Sequence, residues 1–123
     1  MKLSIPAIFT AFLLTVSCAV VPVTGRRQFN VVPGSMISGM SLTTYQEFLR
    51  DNPPLPAGNP QVELVKKVGS RISAAVIRFL NENKMADKAA SYNWEFNLVD
   101  SKEVNAWCLP GGKVVVYTGI MPF

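Results

Sequence analysis

Apolar positions follow two different periods along this chain. Val62, Val65, Val68, Ile72, Val76 and Phe79 recur at spacings of three and four, while Glu63, Lys66, Lys67, Arg71 and Arg78 fall largely off that stripe. Such spacing predicts one face of a long helix. Asn59 suits its N-cap, and Pro60 suits its first position, where the missing N–H would be unpaired anyway. Burial of six such side chains is worth roughly 1.5–3 kcal/mol each before entropy, so the stripe demands a partner surface. Gly69 interrupts it at about 1 kcal/mol relative to Ala, which points to a close backbone approach.

Farther on the period shortens to two. Trp94, Phe96 and Leu98 alternate with Glu95 and Asn97, the signature of a half-buried strand. Asp100 to Glu103 reads as a turn, and Val104 to Leu109 as a second strand. Pro110 and Gly111 fill the central places of a type II turn, whose second centre needs positive φ. Lys113 to Thr118 completes a third strand. Upstream, Thr43 and Gln46 fit a capping box for a short helix with Leu42, Tyr45, Phe48 and Leu49 on its apolar face. Pro53, Pro54 and Pro56 end that helix in an extended connector. The predicted class is α+β, one long helix packed on an antiparallel three-stranded meander. The core is thin, and the apolar strand Val114–Tyr117 has no evident cover, so the domain reads as incomplete.

Composition alters this picture mainly at the start. Within 123 residues, Leu3 to Val16 is apolar but shorter than the about 20 residues a membrane helix requires. With Lys2 ahead of it, the segment predicts a secretory signal. Its end, Thr15-Val16-Ser17-Cys18, resembles the lipobox of bacterial lipoproteins, with Thr15 in place of the usual Leu. By that resemblance Cys18 carries the lipid, and the chain divides into a signal (1–17), a tether (18–41) and a domain (42–123). The net charge of +4 is mild and spread out, with no basic stripe of the kind that binds nucleic acid. Two cysteines, Cys18 and Cys108, build no disulfide framework if the first is lipidated. Cys108 reads as a small apolar residue, since a cysteine nucleophile needs a base and the chain has no histidine.

The stretch Glu95 to Met121, EFNLVDSKEVNAWCLPGGKVVVYTGIM, resembles the region upstream of the zinc site in the HtpX-, BepA- and Oma-like zinc metalloendopeptidases (metallopeptidase family forty-eight). Asn105-Ala106-aromatic, then Leu109-Pro110-Gly111-Gly112 and a Val-rich strand ending Tyr117-Thr118-Gly119, carry the likeness. Pro22, Thr24, Gly25, Arg26 and Gln28 behind a lipobox-like cysteine are similar to its lipoprotein members. The resemblance implies a zincin-like fold whose next element is a helix bearing H-E-x-x-H, two histidines for zinc and a Glu as general base. None of those residues is present, so the family's zinc cofactor is not expected on this chain, nor is any catalytic residue. What the resemblance does place here is a strand that pairs with extended polypeptide, with Asn105, Ala106 and Trp107 along the cleft. The implied whole is a lipid-anchored peptidase of the cell envelope, facing the periplasm or exterior. From the residues alone, a plain core hairpin with Trp107 buried also fits. A small non-enzymatic lipoprotein that binds partners through an exposed strand edge stays open beside the peptidase.

Overall fold

The computed structural model describes residues 18–123 apart from 22, 30 and 31. The signal-peptide reading of residues 1–17 lies outside that description, and so does the side chain of Cys18. Among the described residues no helix is long and apolar enough to cross a membrane. The stretch read as a tether holds two strands and the start of a helix. Strands β1 (Cys18–Val20) and β2 (Arg27–Phe29) pair antiparallel as a small unit of their own, with Val20 opposite Arg27.

The second compact unit, residues 34–123, holds helices α1 (Gly34–Asp51), α2 (Pro60–Glu82) and α3 (Ala86–Ala90). Three strands follow, β3 (Glu95–Val99), β4 (Ala106–Leu109) and β5 (Lys113–Tyr117), then a 3-10 turn over Thr118–Ile120. Helix α2 starts as its sequence dictates: Asn59 accepts a hydrogen bond from the Gln61 N–H at 2.9 Å, with Pro60 as the first helical residue. Helix α1 begins nine residues before Thr43, at Gly34. Thr43 therefore lies inside the helix, and its hydroxyl donates back to the Gly39 carbonyl at 3.3 Å instead of capping. Hydroxyls accept this role readily in helix interiors, which is why a local box motif misplaces the start.

The sheet corrects the antiparallel meander. Its order is β3-β5-β4, with β5 parallel to β3 and antiparallel to β4. The reason lies in the connection from Asp100 to Asn105, which runs past the end of β5 and is bonded there. The Ser101 N–H donates to Thr118 Oγ1 at 3.0 Å, the Gly119 N–H to the Ser101 carbonyl at 2.8 Å, and the Tyr117 N–H to the Asn105 carbonyl at 3.0 Å. This bridge sets β4 one strand farther out and leaves a slot that β5 fills. The β4–β5 turn forms as its residues predict: Gly111 has φ +93° and the Gly112 N–H reaches the Leu109 carbonyl at 3.2 Å.

Alternation along the strands gives the sheet two different faces. Helix α1 covers one, where Tyr45, Phe48 and Leu49 pack on Val99, Val115, Trp107, Leu109 and Tyr117. Helix α2 covers part of the other, where Val62 and Val65 pack with Leu98, Phe96 and Val116. The apolar stripe of α2 splits accordingly. Val62 and Val65 are buried, whereas Val68, Ile72 and Phe79 stay 45%, 54% and 43% exposed. Apolar residues cover more than one face of this helix, and spacing alone cannot say which face meets the sheet.

On the α1 side lies a partly buried polar cluster, with Glu95 at its exposed end. Asn97 Nδ2 donates to the Tyr45 hydroxyl at 2.5 Å and to Glu95 Oε1 at 3.1 Å, and Lys113 Nζ bonds Glu95 Oε2 at 3.1 Å. Burial pushes the Tyr45 phenol up to about 12; the Asn97 bond opposes this, and the neighbouring Glu95 carboxylate adds to it. Tyr45 is 2% exposed. Because the folded value is raised above 10.0, its contribution is whole below the unfolded value and is lost as pH climbs towards the folded one. Stability should fall by on the order of 2–3 kcal/mol across that interval. Phenolate absorbance should show one of the three tyrosines ionising late, and Tyr45→Phe should remove both effects. A late phenolate signal that survives in Tyr45→Phe would contradict the prediction.

Candidate functional site: the free border of β4

Strand β5 is central, so β4 has one border unpaired by any strand among the described residues. The opposite border, that of β3, is partly closed. Pro54 bridges to Val99, and the Leu55 N–H donates to the Leu98 carbonyl at 2.8 Å.

Register decides which groups β4 turns outward. Opposed residues in an antiparallel pair alternate between those that exchange main-chain hydrogen bonds and those that do not. Asn105 bonds to Tyr117, so Trp107 opposite Val115 and Leu109 opposite Lys113 also point their main-chain groups inward. Ala106 opposite Val116 and Cys108 opposite Val114 then direct N–H and C=O to the open border. Both residues are exposed. The three residues singled out in the sequence are therefore not equivalent. Ala106 offers its main chain to the border. Trp107 offers neither main chain nor ring: its indole packs edge-on against Phe48 at 4.9 Å and donates from Nε1 to the Tyr117 hydroxyl at 3.2 Å. Asn105 is exposed, with its carbonyl held by Tyr117. Cys108 joins the border through its register, since no local sequence signal marks its main chain as facing outward.

The chemistry of this border is main-chain hydrogen bonding. Burial raises the Cys108 thiol above its ordinary value, which disfavours a thiolate, and the chain has no histidine to serve as a base. Zinc, which the resemblance implies for whole family members, finds no matching donor set in these residues. Among the described residues no three His, Cys, Asp or Glu side chains lie close enough to share a metal ion.

Away from the border, between α2 and strands β3 and β5, lies an apolar groove of about 460 Å³. Phe96, Val114 and Val116 line it, with Leu64, Val68 and Ile72 of α2. Trp94 stacks on Phe96 at 6.0 Å and on Tyr92 at 4.9 Å, leaving its buried Nε1 without a partner among the described residues.

No protein-family model matches the chain. Over 104 residues it is 33% identical to the mitochondrial metalloendopeptidase OMA1 of Schizosaccharomyces pombe, a match covering 83% of this chain and 28% of that protein. Over 117 residues it is 29% identical to the mitochondrial metalloendopeptidase OMA1 of Bos taurus, covering 93% of this chain and 21% of the relative. The chain spans about a quarter of the length of the curated relatives it matches. It is a distant homologue of OMA1 metalloendopeptidases.

Proposed function

We propose that this chain is the N-terminal portion of a membrane-anchored zinc metalloendopeptidase, and that β4 supplies the border on which extended polypeptide is laid. The observation that carries this reading is the open main chain of Ala106 and Cys108, in a chain homologous to metalloendopeptidases. Two outward residues offer at most about four hydrogen bonds, each worth about 0.5–1.5 kcal/mol net. Main-chain pairing is indifferent to sequence, so it suits a peptidase that accepts many chains. By itself the border holds a peptide at about millimolar strength, and the rest of the affinity must come from side-chain contacts. The small side chains of Ala106 and Cys108 allow close approach on the α2 side. Asn105 and Trp107 flank the path on the α1 side, where Trp107 holds the strand in position without touching the peptide's main chain.

Zinc and its ligands belong, in this reading, to a part of the protein outside these residues. Cys18 is kept as the lipid-bearing residue that fixes the enzyme to the envelope. The two relatives are named as mitochondrial, so fatty-acid labelling, repeated with Cys18→Ala, decides between a lipidated envelope protein and another setting.

Amide exchange tests the border directly. In the free chain, Ala106 and Cys108 should exchange fast, and Trp107 and Leu109 slowly. A saturating extended peptide should slow the first pair. The encoding frame tests the peptidase: an H-E-x-x-H within a few dozen residues after position 123, and casein cleavage by the longer product that a chelator stops, are expected. A frame that closes without that motif favours the non-enzymatic, partner-binding lipoprotein instead. Protection of Ala106 and Cys108 in the free monomer would remove the border from either reading.

A further inference from the structure

The small unit built from β1 and β2 carries a loop that is apolar at its tip and basic at its base. The Val21 N–H donates to the Arg26 carbonyl at 2.8 Å and the Gly25 N–H to the Val21 carbonyl at 3.0 Å, which closes the loop. Val23 stands on it, 81% exposed and at φ +76°. Glycine adopts that conformation without strain, and a β-branched residue there is an outlier. Turn geometry therefore does not explain the valine, whereas an outside apolar contact does. Val20 is exposed as well, and its register partner Arg27 shares its face of the hairpin. Arg26 and Arg27 border a hollow of about 320 Å³ together with Thr24 and Gln28. Neither arginine meets a carboxylate: among the described residues the ion pairs are Arg50–Asp51 and Lys113–Glu95. The first acidic residue of the sequence is Glu47, so no neighbour along the chain offsets the charge of the hairpin.

From this arrangement we infer that the β1–β2 loop docks on an anionic lipid surface, with Val23 dipping into the interface and Arg26 and Arg27 holding phosphate headgroups beside it. The inference deepens the reading of the chain as membrane-anchored, and rests on it for a bilayer close at hand. A short convex loop suits a deformable surface, into which apolar side chains sink by about 5–10 Å. A peptide partner would need a recessed apolar seat, and the hollow beside the arginines is lined mainly by polar side chains. A soluble phosphate would engage the arginines and leave Val23 in water. Each basic side chain near an anionic surface strengthens binding about fivefold, and sinking one valine adds about tenfold. Such a contact is weak alone, and it orients the protein once a first anchor holds it at the surface.

The processed form in this reading, residues 18–123 with Cys18→Ala, spans every described element and has neither signal nor acyl chain. Vesicle flotation at millimolar lipid measures its binding. Phosphatidylcholine vesicles with added phosphatidylglycerol should bind it about 30-fold more tightly than phosphatidylcholine alone, and added salt should narrow the gap. Arg26→Gln with Arg27→Gln should bring the two nearly level. Val23→Gly should weaken binding to the anionic vesicles about tenfold, although glycine suits φ +76° and keeps the loop at least as stable. A valine needed only for the turn would show no such loss. All three residues are exposed, and circular dichroism checks that the variants keep the fold. Equal binding of the two vesicles, binding of neither, or undiminished binding of either variant overturns the inference. So does displacement from the vesicles by an acidic peptide, or by inorganic phosphate where chloride of equal ionic strength has no effect. Absence of fatty-acid labelling at Cys18 sinks the lipid anchor yet leaves the vesicle preference standing, so the two failures are distinguishable.

Discussion

Gly69→Leu should abolish folding, and Gly69→Ala should lower stability by about 1–2 kcal/mol. At this position α2 lies against the sheet so closely that an added Cβ would come under 3.0 Å from the Phe96 ring. Alanine in a helix interior would ordinarily gain about 1 kcal/mol over glycine. Overpacking costs about 1–3 kcal/mol, and the overlap here falls on three ring atoms at once, so the cost wins. Phe96 borders the open groove and can yield some distance into it, which keeps the alanine variant folded. Leucine is too large for that relief. It would lift α2 from the sheet and separate Val62 and Val65 from Leu98, the centre of that core. Urea midpoints measure the alanine effect. In a Phe96→Ala background the same Gly69→Ala change should cost little or become favourable, and an undiminished loss there would refute the steric account.

Trp107→Ala should be nearly as damaging, at about 3 kcal/mol. Aromatic-to-alanine changes in cores cost about 3–5 kcal/mol, and the half-buried position of Trp107 places it at the low end. The ring meets Phe48 at 4.9 Å and Tyr45 at 6.5 Å, both edge-on, and its N–H satisfies the Tyr117 hydroxyl. Trp107→Phe keeps most of the packing and loses the hydrogen bond, so its loss should be about 1 kcal/mol. Amide exchange separates stability from pairing. In Trp107→Phe the alternation between Ala106 and its neighbours should persist, because register and not the indole sets it. Loss of that alternation would mean that Trp107 itself determines the register of β4.

How far the sequence carries can be judged from these same elements. Local chemistry was legible. Asn59 and Pro60 open α2, the period of two marks β3, and Pro110-Gly111 forms the turn it predicts. Partner choice was not. Nothing within β3 or β5 states that they run parallel; that follows from the Asp100–Asn105 connection and its bonds to Thr118 and Gly119, which are long-range. Spacing marks the α2 stripe as one face, although its exposed members form a second that borders a groove. The sequence marks the border residues as a block, Asn105 to Trp107. A strand, however, turns alternate main-chain groups in opposite directions, and only the pairing identifies Ala106 and Cys108 as the outward ones.

The slot position of β5 has a consequence for how the chain is made. Of these three strands, the one translated last is the one that both others lean on, so β3 and β4 have no ladder between them until Lys113–Tyr117 arrives. On the ribosome α1 and α2 must wait with their apolar sides unsheltered until β5 clears the exit tunnel. A chain stopped before Val114 would leave a loose pair of ribbons for chaperones and quality-control proteases to meet.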